Sequence, residues 1–115
     1  MYSTIQDILK DLDQSEVILL VNDSNADVDE IDLADPEDAA AIRVIEQIKA
    51  ADDEIDSYLR SRYQLPFSQI PERIRQISKD IAIYNLYKRR HRLDMPESIV
   101  SIYKSRLSDL QLIQK

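Results

Sequence analysis

His91 is the chain's single imidazole, and it sits inside the run Lys88-Arg89-Arg90-His91-Arg92. With no cysteine and no second histidine, the ring lacks partners for a zinc site or a nucleophilic triad. The missing cysteines also remove any disulfide framework or thiol nucleophile. Asp52 and Asp56 fall one helical turn apart, the spacing of a general acid and base, but with 22 acidic residues such pairs arise by chance. Asp23, Asn25, Asp27 and Asp29 alternate like the oxygen donors of a calcium loop. That pattern breaks where Val28 replaces the required glycine and Ala34 the closing glutamate, so we read a solvated acidic segment. The expectation is a protein that is not an enzyme and takes no cofactor or metal.

The chain has 115 residues and no glycine. Glycine-rich phosphate loops and the nucleophile elbow need that residue for positive φ and close backbone approach. Dehydrogenases, kinases and serine hydrolases are accordingly disfavoured. Helix stops must come from Asn, Asp and the four prolines, Pro36, Pro66, Pro71 and Pro96.

What remains is a set of side chains suited to contact. Tyr58, Tyr63, Tyr84 and Tyr87 combine apolar area with a polar tip. Their helical spacing also fits core packing; we assign Tyr84 to the core and leave Tyr63 and Tyr87 open between core and interface. The candidate interface comprises Tyr63, Leu65, Phe67, Tyr87, Lys88, Arg89, Arg90 and Arg92. Lys88 to Arg92 is the only basic cluster, better suited to an acidic neighbour or to solvent than to specific DNA binding, with nonspecific proximity to DNA left open. Reversing Arg89, Arg90 and Arg92 to glutamate is expected to impair assembly and leave helicity intact.

The elements that must position these residues read as helices. Ile5, Ile8, Leu9 and Leu12 follow one helical face, with Ser3 and Gln6 as a capping box. Asp13 and Glu16 precede Val17–Val21, read as a second short helix with a strand as the competing assignment. From Asn22 the sequence predicts a mobile acidic loop, about 22–35, holding no base. Asp35-Pro36-Glu37-Asp38 has the chemistry of a helix start, and Ile42, Ile45, Ile48, Ile55, Leu59 and Arg62 extend the helix to about Tyr63. Leu65-Pro66 ends it. Pro71 opens the next helix, with Ile74, Ile77, Ile81, Tyr84 and Lys88 as its stripe and Ile83, Leu86 and Tyr87 beside it. So wide an apolar face predicts a central helix. Asp80, adjacent to the stripe, needs a partner, for which Arg62 or Tyr63 is the candidate. Asp94 and Glu97 cap a last helix carrying Ile99, Ile102 or Tyr103, Arg106 or Leu107, Leu110 and Ile113. The expected fold is one all-α domain over residues 1–115: one or two short N-terminal helices, a long central helix and two more.

Charge is divided along the chain. Residues 1–56 carry 17 acids and 3 bases, and residues 57–115 carry 5 acids and 12 bases. This complementarity either closes within the fold or steers head-to-tail association. The longest apolar run, Val17–Val21, is five residues, so no membrane span is expected. The Met1-Tyr2-Ser3-Thr4 start has neither the basic flank nor the apolar stretch of a signal peptide.

The segment Ile55-Asp56-Ser57-Tyr58-Leu59-Arg60-Ser61-Arg62-Tyr63-Gln64-Leu65-Pro66, followed by Asp80-Ile81-Ala82-Ile83-Tyr84-Asn85-Leu86-Tyr87, resembles the small structural protein of Mu-like prophages, a head-tail joining or head-completion family. The similarity extends to the Met1-Tyr2 start, the short first helices and the final helix after a basic turn. The resemblance implies a non-enzymatic helical adaptor that docks as a ring on the portal vertex of a phage head and receives the tail. It further implies synthesis in the bacterial cytoplasm, residence in the virion neck, and copies of itself, the portal and tail-side neck proteins as partners. The alternative is a small regulatory module binding one protein partner through the Leu65–Ile70 turn or the basic helix end.

Overall fold

In the computed structural model, which describes residues 1–114, five α-helices form a bundle with no strand among the described residues. They are α1 (Ile5–Leu9), α2 (Gln14–Val21), α3 (Ala39–Leu59), α4 (Glu72–Arg90) and α5 (Glu97–Gln114). A 3-10 turn spans Val28–Glu30. The Val17–Val21 run is helical, with four of its five side chains covered: Val17, Ile18, Leu20 and Val21 are buried and Leu19 faces out.

α3 and α4 are the central antiparallel pair, and each touches all the other helices. Contacts between the two pair rising numbers with falling ones, Gln47 with Asn85 and Asp52 with Ser78. α1 and α2 run parallel to α4 on one side, through Asp7 with Arg75 and Glu16 with Tyr87. α5 runs antiparallel to α4, through Tyr103 with Tyr84 and Arg106 with Asp80. The wide apolar face of α4 thus does what its sequence predicts.

The buried stripe of α3 is Val44, Ile48, Ala51, Ile55 and Leu59, and Ile42 lies off it, 44% exposed. A strict three-residue step through Ile42, Ile45 and Ile48 drifts by about 60° each time, whereas alternating steps of four and three stay on one face. On α5, Tyr103 turns inward and Ile102 outward, and only Leu110 is fully covered.

Several boundaries differ from the sequence expectation. The N-cap of α1 is Thr4 with Asp7 rather than Ser3 with Gln6, because the Ser3 hydroxyl is buried against that of Ser78 at 2.7 Å. Asp13 caps α2 through its backbone position only, as Glu16 is engaged by Tyr87. α3 begins at Ala39, not at Pro36. Asp35 turns back on the Glu37 amide at 2.9 Å, and Asp38 accepts from the Ala40 amide at 2.8 Å as the true N-cap. The helix closes at Leu59 rather than Tyr63, where the amides of Arg62 and Tyr63 both donate to the Leu59 carbonyl.

The acidic segment between α2 and α3 is pinned rather than slack. Leu33 is buried, the Asn22 amide brackets Ala26 N–H and C=O at 2.9 and 2.8 Å, and Asp38 accepts from Asp32 N–H at 2.9 Å. Asn25 takes the single positive φ among the described residues, 56°, a position glycine usually fills and asparagine tolerates.

Candidate interaction surfaces

The basic cluster ends α4, and the structure divides it by role. Arg89 donates to the Leu20 carbonyl at 2.7 Å and also to Asp23; Arg43 donates to the Val21 carbonyl at 2.9 Å. The last carbonyls of α2, which no glycine cap satisfies, are therefore closed by guanidinium groups. Arg43, Arg89 and Arg90 converge on Asp23, with Arg43 and Arg90 at 3.1 and 3.0 Å. The Arg89 bond, chiefly, holds the Asp23 carboxyl below the usual range. Asp23 is consequently committed to arginines, not to the calcium-like donor set. Among the described residues no three His, Asp or Glu side chains converge so as to hold a metal.

This revises the candidate interface. Arg89 is an internal tie, so reversing it would open the end of α2, whereas Arg90 pairs with Asp23 and stays exposed. Tyr87 is a core residue whose hydroxyl donates to Glu16 at 3.0 Å; burial first and that carboxylate second push its pKa up to about 12. Lys88 and Arg92 remain exposed at this end. Arg89→Ala should cost about 1.5–3 kcal/mol, since two charge-assisted bonds are lost, one to an otherwise open carbonyl. Urea denaturation followed by circular dichroism measures it.

The linkage at Asp23 has a definite sign. A carboxyl lowered in the folded state contributes stability above its unfolded pKa and loses it as pH falls through the folded pKa. Asp23→Asn should accordingly flatten the acid limb of the stability profile below about pH 4. Thermal melts between acid and neutral pH read this directly.

The Asp52 and Asp56 pair is absorbed by the start of the chain. Asp52 accepts from the Tyr2 amide at 2.8 Å and from the Ser78 hydroxyl at 2.7 Å. Asp56 accepts from the Tyr2 hydroxyl. Burial of Asp52 raises its carboxyl above the ordinary value in spite of those bonds. Two carboxylates with catalytic spacing thus serve as a clasp holding Tyr2 and Ser3 between α3 and α4. Asp80 pairs with Arg106 at 2.7 Å and Lys79 at 3.7 Å, not with Arg62 or Tyr63; Arg62 instead donates to the Ile113 carbonyl at 3.2 Å. Tyr84 stacks on Tyr103 at 3.8 Å between ring centres, and the Tyr103 hydroxyl donates to Glu54 at 2.8 Å. This stack was not legible, since nothing in the spacing aligns α5 against Tyr84.

At the opposite end of α4, the turn between α3 and α4 gathers the remaining candidates. Tyr63 is exposed, while Leu65 and Phe67 are half-buried. Phe67 lies 6.1 Å from Tyr63 and 5.8 Å from Tyr2 between ring centres. Leu59, Tyr63, Phe67, Pro71, Ile74 and Ile113 wall an apolar recess of ≈ 250 Å³, with Arg73 at its edge.

The family model described as Bacteriophage Mu, Gp36 matches residues 2–115, nearly the whole chain. The chain belongs to this phage protein family. No curated protein matches it. For a Mu Gp36 family member, the surface left after folding is informative. The two sequence halves neutralise one another in part, through Asp23 with Arg89 and Arg90, Asp11 with Lys79 and Asp7 with Arg75. Among the described residues, the carboxylates from Asp27 to Glu37 make no ion pair, and neither do Arg60, Lys88, Arg92 or Lys104. Among the described residues of this Gp36 family chain, no helix is long and apolar enough to cross a membrane.

Proposed function

We propose that this chain is a non-enzymatic virion structural protein: a head-tail connector or adaptor subunit that assembles as a ring at the portal vertex and meets tail-side neck proteins. Membership of the Mu Gp36 family supports a phage role. The observation that carries the finer reading is the charge left over after folding. An acidic segment from Asp27 to Glu37 and separate unpaired cations at Arg60, Lys88, Arg92 and Lys104 stay available to neighbours. A ring is a closed heterologous assembly, in which one surface of a subunit fits a different surface of the next. Charge of opposite sign on separate surfaces sets register and suppresses wrong pairings, while buried tyrosine and aliphatic contacts supply most affinity. In a neck that DNA traverses, the cations also lie in nonspecific reach of phosphates.

The test is where the chain resides. Gold-labelled antibody against it should decorate virions at the junction of head and tail; label absent from purified virions, or spread over the capsid shell, contradicts the reading. Reversal of the unpaired cations, Lys88→Glu with Arg92→Glu, should leave the circular dichroism spectrum unchanged and lower the yield of infectious particles at least about tenfold, as loss of rim charge complementarity does.

A further inference from the structure

α5 is a long helix that the core hardly claims. α3 and α4 bury eight residues each and α2 four of its eight, whereas α5 buries Leu110 alone among its 18. Its other inward apolar residues, Ile99, Tyr103, Leu107 and Ile113, are only half-buried. Clefts open along its seam with the bundle. One of ≈ 400 Å³ lies among Leu12, Ile83, Ile99 and Ile102, and another of ≈ 320 Å³ among Ile77, Asp80, Arg106 and Asp109. The ≈ 250 Å³ recess beside Ile113 is a third. Gaps of this kind forfeit the dispersion contacts that close packing supplies.

Much of what joins α5 to the bundle is charge. A ladder of ion pairs crosses α4: Asp11 with Lys79 at 2.6 Å, Lys79 with Asp80 at 3.7 Å, Asp80 with Arg106 at 2.7 Å, Arg106 with Asp109 at 2.7 Å and Asp109 with Arg73 at 3.4 Å. Arg106 and Asp109 are its members on α5, and each meets α4. The inner pair is sheltered, the Asp80 side chain being 14% exposed, while Arg73 at the outer end is 62% exposed and open to ions. The Tyr84 stack and the Glu54 bond of Tyr103 add one anchor close to Arg106. At the start of α5 little resists a change of angle, because His91, Arg92, Leu93 and Asp94 are all exposed.

We infer that α5 is an ionic latch: it lifts from the α3–α4 pair as one unit, hinging at His91–Asp94, and the Asp80–Arg106–Asp109 ladder sets how often it does so. Lifting uncovers Ile83 and Tyr84 and leaves the α3–α4 core closed. Salt loosens the latch, since the screening length falls from about 30 Å at 0.01 M to about 3 Å at 1 M, while apolar contacts between α3 and α4 carry no charge to screen. This is a property of the single subunit and stands apart from the proposed function; either can fail without the other.

Native-state hydrogen exchange of the full chain in sub-denaturing urea tests it. An 18-residue helix freed from its bundle is marginal in water, so lifting exposes its amides. The α5 amides should converge on one shared opening, populated at least about tenfold more than the opening that exposes α3 and α4. Raising NaCl from about 0.01 M to 1 M should increase the α5 opening at least about threefold. Arg106→Met keeps a long apolar stem and removes the charge; it should increase that opening about tenfold and abolish its response to salt. Exchange of α5 only together with α3 and α4, or by fraying residue by residue from its end, overturns the latch. So does a salt response that survives in Arg106→Met. Should that variant not fold, the wild type alone decides, because an α5 opening unmoved by salt is equally fatal.

Discussion

Asp52→Ala is expected to destabilise the protein by about 2–4 kcal/mol, because its carboxylate accepts from two buried donors. Those donors are the Tyr2 amide and the Ser78 hydroxyl, and the Ser3 hydroxyl hangs from Ser78 in turn. Losing the carboxylate therefore frees the first residues from the α3–α4 pair as well. The midpoint of thermal unfolding should fall by about 10–20 °C. Asp52→Asn keeps one oxygen for Ser78 and turns an amide toward the Tyr2 N–H, so it should lie between the two. Its pH dependence carries a further sign. Burial raises the Asp52 carboxyl, so its contribution is greatest below the unfolded pKa and declines as pH rises through the folded one. The neutral asparagine has no such decline, and the deficit of Asp52→Asn against wild type should shrink from acid to neutral pH. An equal deficit at all pH values would mean that the carboxyl is not strained by burial.

Ile55→Ala should cost about 3–5 kcal/mol. Ile55 is wholly buried on the α3 stripe, flanked one turn on either side by the buried Ala51 and Leu59. Truncation removes the transfer free energy of the side chain and leaves a cavity that close-packed helices only partly refill. Ile42→Ala, on the same helix but 44% exposed, should cost only about 1 kcal/mol. Urea denaturation of the two variants separates the observed stripe from the one that a three-residue step suggests. Similar losses in both would place Ile42 in the core and contradict the packing of α3.

The helices were legible because apolar periodicity is carried by the residues themselves: α4 and α5 start beside Pro71 and Pro96, and α4 packs as its broad face demands. Boundaries were less so where side chains had a better use elsewhere. Ser3 has the chemistry of an N-cap but is drawn inward to Ser78, and Asp35 spends its carboxylate on a local turn while Asp38 caps α3. The candidate interface blended two kinds of residue that sequence cannot separate. Arg89 and Lys88 are neighbours of the same type, yet the rotation of one helical position sends Arg89 onto the end of α2 and leaves Lys88 in water. Likewise Tyr87 and Tyr63 look alike in the sequence; one is walled by α2 and the other closes an open recess. Pairings such as Asp80 with Arg106 depend on how α5 lies across α4, which only the assembled bundle decides.

The most direct measurement is made on a phage that encodes this chain, with its gene interrupted by a stop codon. The account predicts that lysates then hold DNA-filled or partly filled heads and separate, complete tails, with joined particles restored when the wild-type chain is supplied in trans. Complete, infectious virions assembled in the absence of the chain would contradict it.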